Sequence, residues 1–241
     1  MKKFKNNKIL IATGGTGGHV FPALSLAKHF IKNQYLVEIV TDERGMRFLN
    51  KYPELKLTLI KSGTIFKKNI FKIIIFFFVI IFSLLKSLLI LTKRKPFLVF
   101  GMGGYSSFPI CLAAKILKIP FIIYENNLLL GKSNRYLLPF ADKIFVSYSE
   151  LEGVNKKYLN KVVLIGNIIR DEILNFKTAN KNNDVLSILI LGGSQAAKSF
   201  GDKLPPVFQR CIEENIKIKI FQQCVVSQND MLKEKFNSLN I

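Results

Sequence analysis

The feature that most constrains this chain is a short apolar run that breaks into a glycine cluster and resumes as a helix. Ile9–Ala12 is such a run, followed after Thr13 by Gly14-Gly15-Thr16-Gly17-Gly18. Its length and flanks read as a buried strand. From Pro22 to Ile31 the apolar positions Leu24, Ala27 and Phe30 or Ile31 recur at helical spacing. The theme returns twice. Leu98–Phe100 ends at Gly101-Met102-Gly103-Gly104, and Val185–Leu191 ends at Gly192-Gly193-Ser194. Leu36–Thr41, Phe121–Tyr124 and Lys143–Ser147 are further β-rich runs with helical stretches between them. Short apolar strands alternating with helices predict an α/β fold with a parallel, doubly wound sheet. Ligands of such sheets bind beyond the carboxyl ends of the strands, where the glycine turns fall.

Asn175–Asp184 is polar and aperiodic and reads as a linker or loop. After it, a strand, a helical stretch, a strand over Ile216–Phe221 and a helix over Gln228–Leu239 are expected. A Rossmann-like domain needs roughly 100–150 residues, more than this unit has. The expected organisation is thus a first Rossmann-like domain over residues 1–165, a linker over 166–184 and an incomplete second domain over 185–241.

Charge narrows the partners. Thirty-six Lys and Arg against sixteen Asp and Glu give a formal net charge of +20. Such a field draws phosphates, whether in nucleic acid, an anionic membrane face or a diphosphate substrate; a bias of base composition toward Lys, Ile and Asn explains it equally well. The basic residues are scattered, and no recognition helix, zinc finger or aromatic RNA-binding pattern occurs, which argues against nucleic acid. Three scattered cysteines, Cys111, Cys211 and Cys224, suit a reducing compartment rather than a disulfide framework. No cluster suggests a metal.

The segment 70–95 stands apart. Ile73–Phe82 is unbroken apolar sequence, extended through Leu91 around Lys86. Lys67, Lys68 and Lys72 precede it and Lys93-Arg94-Lys95 follow. Three readings are open: a helix docked on the domain with one apolar face in an anionic membrane interface, a core helix, or a membrane span. The first is preferred, because the α/β pattern resumes on both sides and one domain cannot straddle a bilayer.

The first glycine turn carries chemistry. Glycines let backbone approach a ligand, and the free N–H groups of the following helix suit a phosphate. The spacing is neither the dinucleotide G-x-G-x-x-G nor a phosphate loop with Gly-Lys-Ser. His19, at the helix start, could act as a general base near neutral pH or simply donate a hydrogen bond.

Six motifs in order then carry a resemblance. Gly14–Ala27 (GGTGGHVFPALSLA), Gly101–Pro109 (GMGGYSSFP), Tyr124–Asn127 (YENN) with Gly131 and Asn134-Arg135, Ala141–Tyr148 (ADKIFVSY), Gly166–Arg170 (GNIIR) and Gly192–Lys198 (GGSQAAK) resemble the signatures of the MurG family. The resemblance implies a GT-B fold of two Rossmann-like doubly wound domains, the second incomplete here. It further implies an inverting, metal- and cofactor-independent transferase at the cytoplasmic face of the bacterial inner membrane. That family moves GlcNAc from UDP-GlcNAc to the muramyl 4-hydroxyl of an undecaprenyl-diphosphate-linked muramyl pentapeptide. By motif, Thr16, Gly17 and Gly18 fall in the phosphate-facing loop. Gly103, Gly104 and Tyr105 fall in the acceptor-diphosphate loop, and Asn127, Arg170 and Ser194 match UDP-GlcNAc contacts. His19 is the candidate base, with Glu125 as the alternative. The chain departs from the family pattern at Tyr124 (usually His), Asn126 (Gln), Ile168 (commonly Pro), Ala196 (Gly) and Lys198 (Arg). A truncated or split acceptor-binding module that needs a separate C-terminal half is the competing reading, and another GT-B lipid glycosyltransferase a third.

Overall fold

The computed structural model describes residues 7–61, 70–175, 185–193 and 197–240, with side chains of the first long apolar helix described from Phe78 onward. The chain divides into two compact units, Met1–Asn175 and Phe176–Ile241.

In the first unit, the opening strand is β1 (Lys8–Ala12), followed by α1 (Gly17–Lys32), β2 (Leu36–Thr41), α2 (Glu43–Leu49) and β3 (Lys56–Leu59). A 25-residue helix, α3 (Ile70–Arg94), crosses to β4 (Leu98–Gly101). Then come α4 (Ser107–Ile116), β5 (Phe121–Glu125), α5 (Lys132–Leu137), β6 (Lys143–Val146), β7 (Val162–Leu164) and α6 (Asp171–Leu174). All pairings are parallel, in the order β3-β2-β1-β4-β5-β6-β7. The chain runs outward from β1 to β3, then restarts on the other side of β1 with β4. That reversal is the switch point of a doubly wound sheet, and it opens a crevice between the carboxyl ends of β1 and β4.

The alternation along β1 shows how the core is shared. Ile9 and Ile11 face α1, packing with Val20, Ala23, Leu24 and Ala27. Leu10 and Ala12 face the other way, with Ile110, Ala113 and Ala114 of α4, Leu91 of α3 and Leu137 of α5. Both faces are covered, as a parallel sheet requires. The sequence reading missed β3 and β7. They are the two edges of the sheet and only partly buried: β3 mixes Lys and Thr with Leu, and β7, though apolar, is only three residues long.

The first unit extends ten residues beyond the expected boundary at 165. Residues 166–175 join it through Ile168, which packs in the α1-side core, and through Arg170, whose guanidinium lies 4.5 Å from the Phe21 ring centre. Residues 176–184 of the expected linker lie outside the described residues.

In α3 the pattern is inverted. Ser83, Ser87 and Leu91, four residues apart, are buried against the domain. Ser83 Oγ donates to the Lys61 carbonyl at 2.7 Å and Ser87 Oγ to the Ser83 carbonyl at 2.6 Å, so neither hydroxyl is orphaned. Phe78, Ile81, Phe82, Leu85 and Leu89 face outward. The core reading of the segment is thereby corrected: it is a docked helix with an exposed apolar face. Among the described residues no helix is long and apolar enough to cross a membrane.

The second unit holds β8 (Leu186–Ile190) and β9 (Ile218–Gln222), paired in parallel, with α7 (Lys198–Lys203), α8 (Pro205–Glu213) and α9 (Asn229–Ser238). Ile190, Phe208 and Ile218 form its core, with Phe236 edge-on to Phe208 at 5.8 Å. Leu189, Leu191 and Phe221 are exposed.

Candidate functional site

The crevice at the switch point is walled by the β1–α1 and β4–α4 turns. Thr13 leaves β1 with its N–H on the Val40 carbonyl and its hydroxyl on the His19 carbonyl, both at 3.0 Å. Ser106 closes the gap from the other turn, Oγ donating to the Thr13 carbonyl at 2.8 Å. Buried Asp42 ties in β2, since its Oδ1 accepts from Gly15 N–H at 3.0 Å and Gly45 N–H at 2.9 Å. One carboxylate thus shapes the first glycine turn and caps α2.

The two turns touch so closely that two positions admit only glycine. A Cβ on Gly103 would stand 2.6 Å from Nδ1 of His19, and a Cβ on Gly104 would stand 2.5 Å from the Gly14 carbonyl oxygen. Both have left-handed backbone, with φ of 89° and 80°, which other residues adopt at a cost. Tyr105 is partly exposed beside them. Thr16 is the N-cap of α1, but its hydroxyl makes no capping bond. It is exposed, as is Gly18, while Gly17 is buried. Free amides and an uncommitted hydroxyl therefore point out of this turn, an arrangement that suits an anionic oxygen.

His19 lies between the turns, half-buried. Burial lowers its pKa below the usual 6.5, outweighing the nearby Glu125 charge and the hydrogen bond to the Met102 backbone, which both raise it. It is therefore neutral at pH 7, the form that can accept a proton.

Glu125, the alternative base, is placed differently. At the end of β5 it is 2% exposed and its carboxylate is fully engaged. Oε1 accepts from the Asn127 N–H at 3.2 Å and from Asn127 Nδ2 at 2.8 Å; Oε2 accepts from the Gly131 N–H at 2.8 Å and from Asn134 Nδ2 at 3.0 Å. A carboxylate that accepts four hydrogen bonds is committed to shaping the loop from β5 to α5. It holds Asn127, exposed at the loop surface, and reaches the crevice through its charge on His19.

Asn126, which sequence reasoning noted only as a departure, is a structural link beside the crevice. Its Nδ2 donates to the Gly18 carbonyl at 2.9 Å, joining the β5–α5 loop to the first turn of α1. That carbonyl is available because Pro22, inside α1, has no N–H for the i−4 bond. The signal was present as a proline four residues after a glycine at a helix start. Ser194 and Ala196 lie outside the described residues. Arg170 lies over the Phe21 ring of α1, beside a cleft of about 210 Å³ lined by Leu24, Lys28 and Glu172 among others. Among the described residues, no group of three or more His, Cys, Asp or Glu could hold a metal ion.

Comparison with known proteins follows the geometry. The family model "Glycosyltransferase family 28 N-terminal domain" matches residues 9–146. A relative from Pelagibacter ubique (strain HTCC1062) is 36% identical over 98% of this chain and 65% of its own length. One from Rickettsia canadensis (strain McKiel) is 35% identical over 97% of this chain and 66% of its own length. Both are named UDP-N-acetylglucosamine–N-acetylmuramyl-(pentapeptide) pyrophosphoryl-undecaprenol N-acetylglucosamine transferase. The crystal structure of Acinetobacter baumannii MurG shares the fold, with a TM-score of 0.70 and 24% identity, covering 97% of this chain and 65% of that one. The chain thus spans about two-thirds of the length of the relatives it matches. By the match of its residues 9–146, which build the seven-stranded sheet up to β6 and both crevice turns, this chain belongs to glycosyltransferase family 28.

Proposed function

We propose that this chain takes part in transferring GlcNAc from UDP-GlcNAc to the muramyl 4-hydroxyl of undecaprenyl-diphosphate-linked muramyl pentapeptide, with inversion at the anomeric carbon. The observation that carries the proposal is His19, neutral and half-buried at the start of α1 between two facing glycine turns. The names of the chain's relatives describe a transfer of that kind.

In this reading the acceptor diphosphate sits on the free amides of Thr16, Gly17 and Gly18 and near Gly103, Gly104 and Tyr105. His19 removes the proton of the acceptor hydroxyl as its oxygen attacks the anomeric carbon. The new C–O bond forms while the bond from that carbon to the UDP phosphate breaks, and UDP departs with the electron pair. Helix-terminal amides and the Arg170 guanidinium offset the leaving charge without reorganising, and Asn127 contacts the nucleotide sugar. Glu125 holds Asn127 and raises the basicity of His19 without accepting a proton. The outward apolar face of α3, with Lys93 and Lys95 exposed at its end, seats the domain in the interface of an anionic membrane, within reach of a lipid-borne acceptor.

The test is transfer from UDP-GlcNAc to a lipid-linked muramyl pentapeptide, run with the chain alone and with the C-terminal third of a relative added. His19→Ala should lower kcat by at least about 100-fold. In the wild type kcat/KM should fall only below pH 6.5, because burial lowers the pKa of the base, and this acid limb should vanish in the variant. Unchanged turnover in His19→Ala sinks the base assignment. No transfer in either arm by the wild type sinks the reaction.

A further inference from the structure

Tyr124 carries a buried hydroxyl that serves a loop forty residues away. The side chain is buried, and its oxygen lies 2.8 Å from Ser147 Oγ, one residue past β6. The Ile168 N–H donates to it at 3.2 Å, and the Gly166 carbonyl is 3.5 Å away. One oxygen, fixed between β5 and β6, therefore holds both ends of the stretch 166–168. Besides these, the Gly166 N–H donates to the Val146 carbonyl at 3.3 Å, while nothing lies within 4 Å of where a Gly166 Cβ would be. Asn167 makes only a long surface contact, 3.4 Å from its Nδ2 to the Tyr148 hydroxyl. Ile168 packs in the same core cluster as Tyr124. Two residues on, Arg170 lies over Phe21, and the exposed pair Lys28–Glu172 at 3.6 Å adds little.

We infer that Tyr124 is a positioning residue whose hydroxyl sets the path of Gly166–Arg170 and so places the Arg170 guanidinium. A phenol can donate one hydrogen bond and accept others, which matches this set of partners: it accepts from the Ile168 N–H and hydrogen-bonds with the Ser147 hydroxyl, either of the two donating. A phenylalanine would fill the same space and leave the Ile168 N–H with no acceptor, so the loop would open more readily. The consequence for nucleotide-sugar binding rests on the role given to Arg170 above; the consequence for the loop does not.

The experiment compares wild type, Tyr124→Phe, Ser147→Ala, Arg170→Ala and the Tyr124→Phe/Arg170→Ala double variant. Amide hydrogen exchange of the 166–170 segment is read together with UDP-GlcNAc titration. Tyr124→Phe should speed exchange at Ile168 about tenfold while β1 and β4 amides keep their rates. Ser147→Ala, which leaves the ring in place, should loosen the same segment less. UDP-GlcNAc should bind the double variant no more weakly than Arg170→Ala alone, since the hydroxyl acts through the guanidinium. Unchanged exchange in both loop variants, acceleration spread over the whole sheet, or additive losses of affinity would each overturn the inference. If Arg170→Ala leaves the UDP-GlcNAc titration unchanged, the donor role of Arg170 falls instead, and the exchange result still decides what Tyr124 does.

Discussion

Two helices of the first unit, α1 and α3, use the same physics in opposite directions. In α1 an apolar stripe of Val20, Ala23, Leu24 and Ala27 is buried, and the N-terminal end carries Gly17, Gly18 and His19. In α3, the most apolar stretch of the chain, serines go inward and Phe82, Leu85 and Leu89 go outward. Leu89 is 71% exposed, whereas Ser87 beneath it is fully buried. Hydrophobicity alone would have buried both stripes. What decides α3 is fit: its inner face lies against the domain, where a hydroxyl bonded to the helix's own backbone takes little room. The apolar residues this displaces make a continuous outer face, and such a face on a folded domain marks an interaction surface.

The comparison breaks first at the end of α1. Gly103→Ala places a Cβ against the His19 ring at a backbone conformation that disfavours it. Left-handed strain and overpacking together should cost about 2–4 kcal/mol, read by urea denaturation. A loss below about 1 kcal/mol would mean the two turns are not held in contact.

Substitutions in α3 should invert the usual rule that apolar changes are mild and charges harmful. Ser87→Leu adds apolar volume to a face with no room and should destabilise by about 1–3 kcal/mol. Leu85→Glu with Leu89→Glu adds charge to the open face and should leave stability within about 0.5 kcal/mol. That pair should also abolish sedimentation with vesicles containing phosphatidylglycerol, which wild type and Ser87→Ala retain. Vesicle binding that survives both glutamates refutes the interfacial role of the outer face. A stable Ser87→Leu variant would show that α3 is loosely docked.

These cases show what the sequence could disclose. The central strands β1, β2, β4, β5 and β6 were legible because a strand buried on both faces is a continuous apolar run. The edges β3 and β7 were not: Lys56–Leu59 mixes Lys and Thr with Leu, and Val162–Leu164, though apolar, is only three residues long. Both glycine turns were legible as turns, because close backbone approach demands glycine whatever the tertiary detail. The four donors around Glu125 were not, because they come from side chains and backbone two to nine residues further on in a folded loop. In α3 the apolar run was plain, but the direction of its faces depends on α4, which no local pattern encodes.

The smallest effect separates the two ends of α1. Its Gly18 carbonyl lacks the helical partner that Pro22 cannot supply, and Asn126 Nδ2 occupies it at 2.9 Å. Asn126→Ala should therefore cost about 1 kcal/mol, the net worth of one hydrogen bond with a partly exposed partner. In a Pro22→Ala background the residue at 22 regains an N–H and can donate to the same carbonyl, so Asn126→Ala should then cost a few tenths of a kcal/mol. The double-mutant cycle isolates this coupling because the Asn126 side chain and a backbone amide at 22 would compete for one acceptor. Equal costs in both backgrounds would mean that Asn126 and Pro22 act independently, and that the β5–α5 loop is held to α1 by something other than this carbonyl.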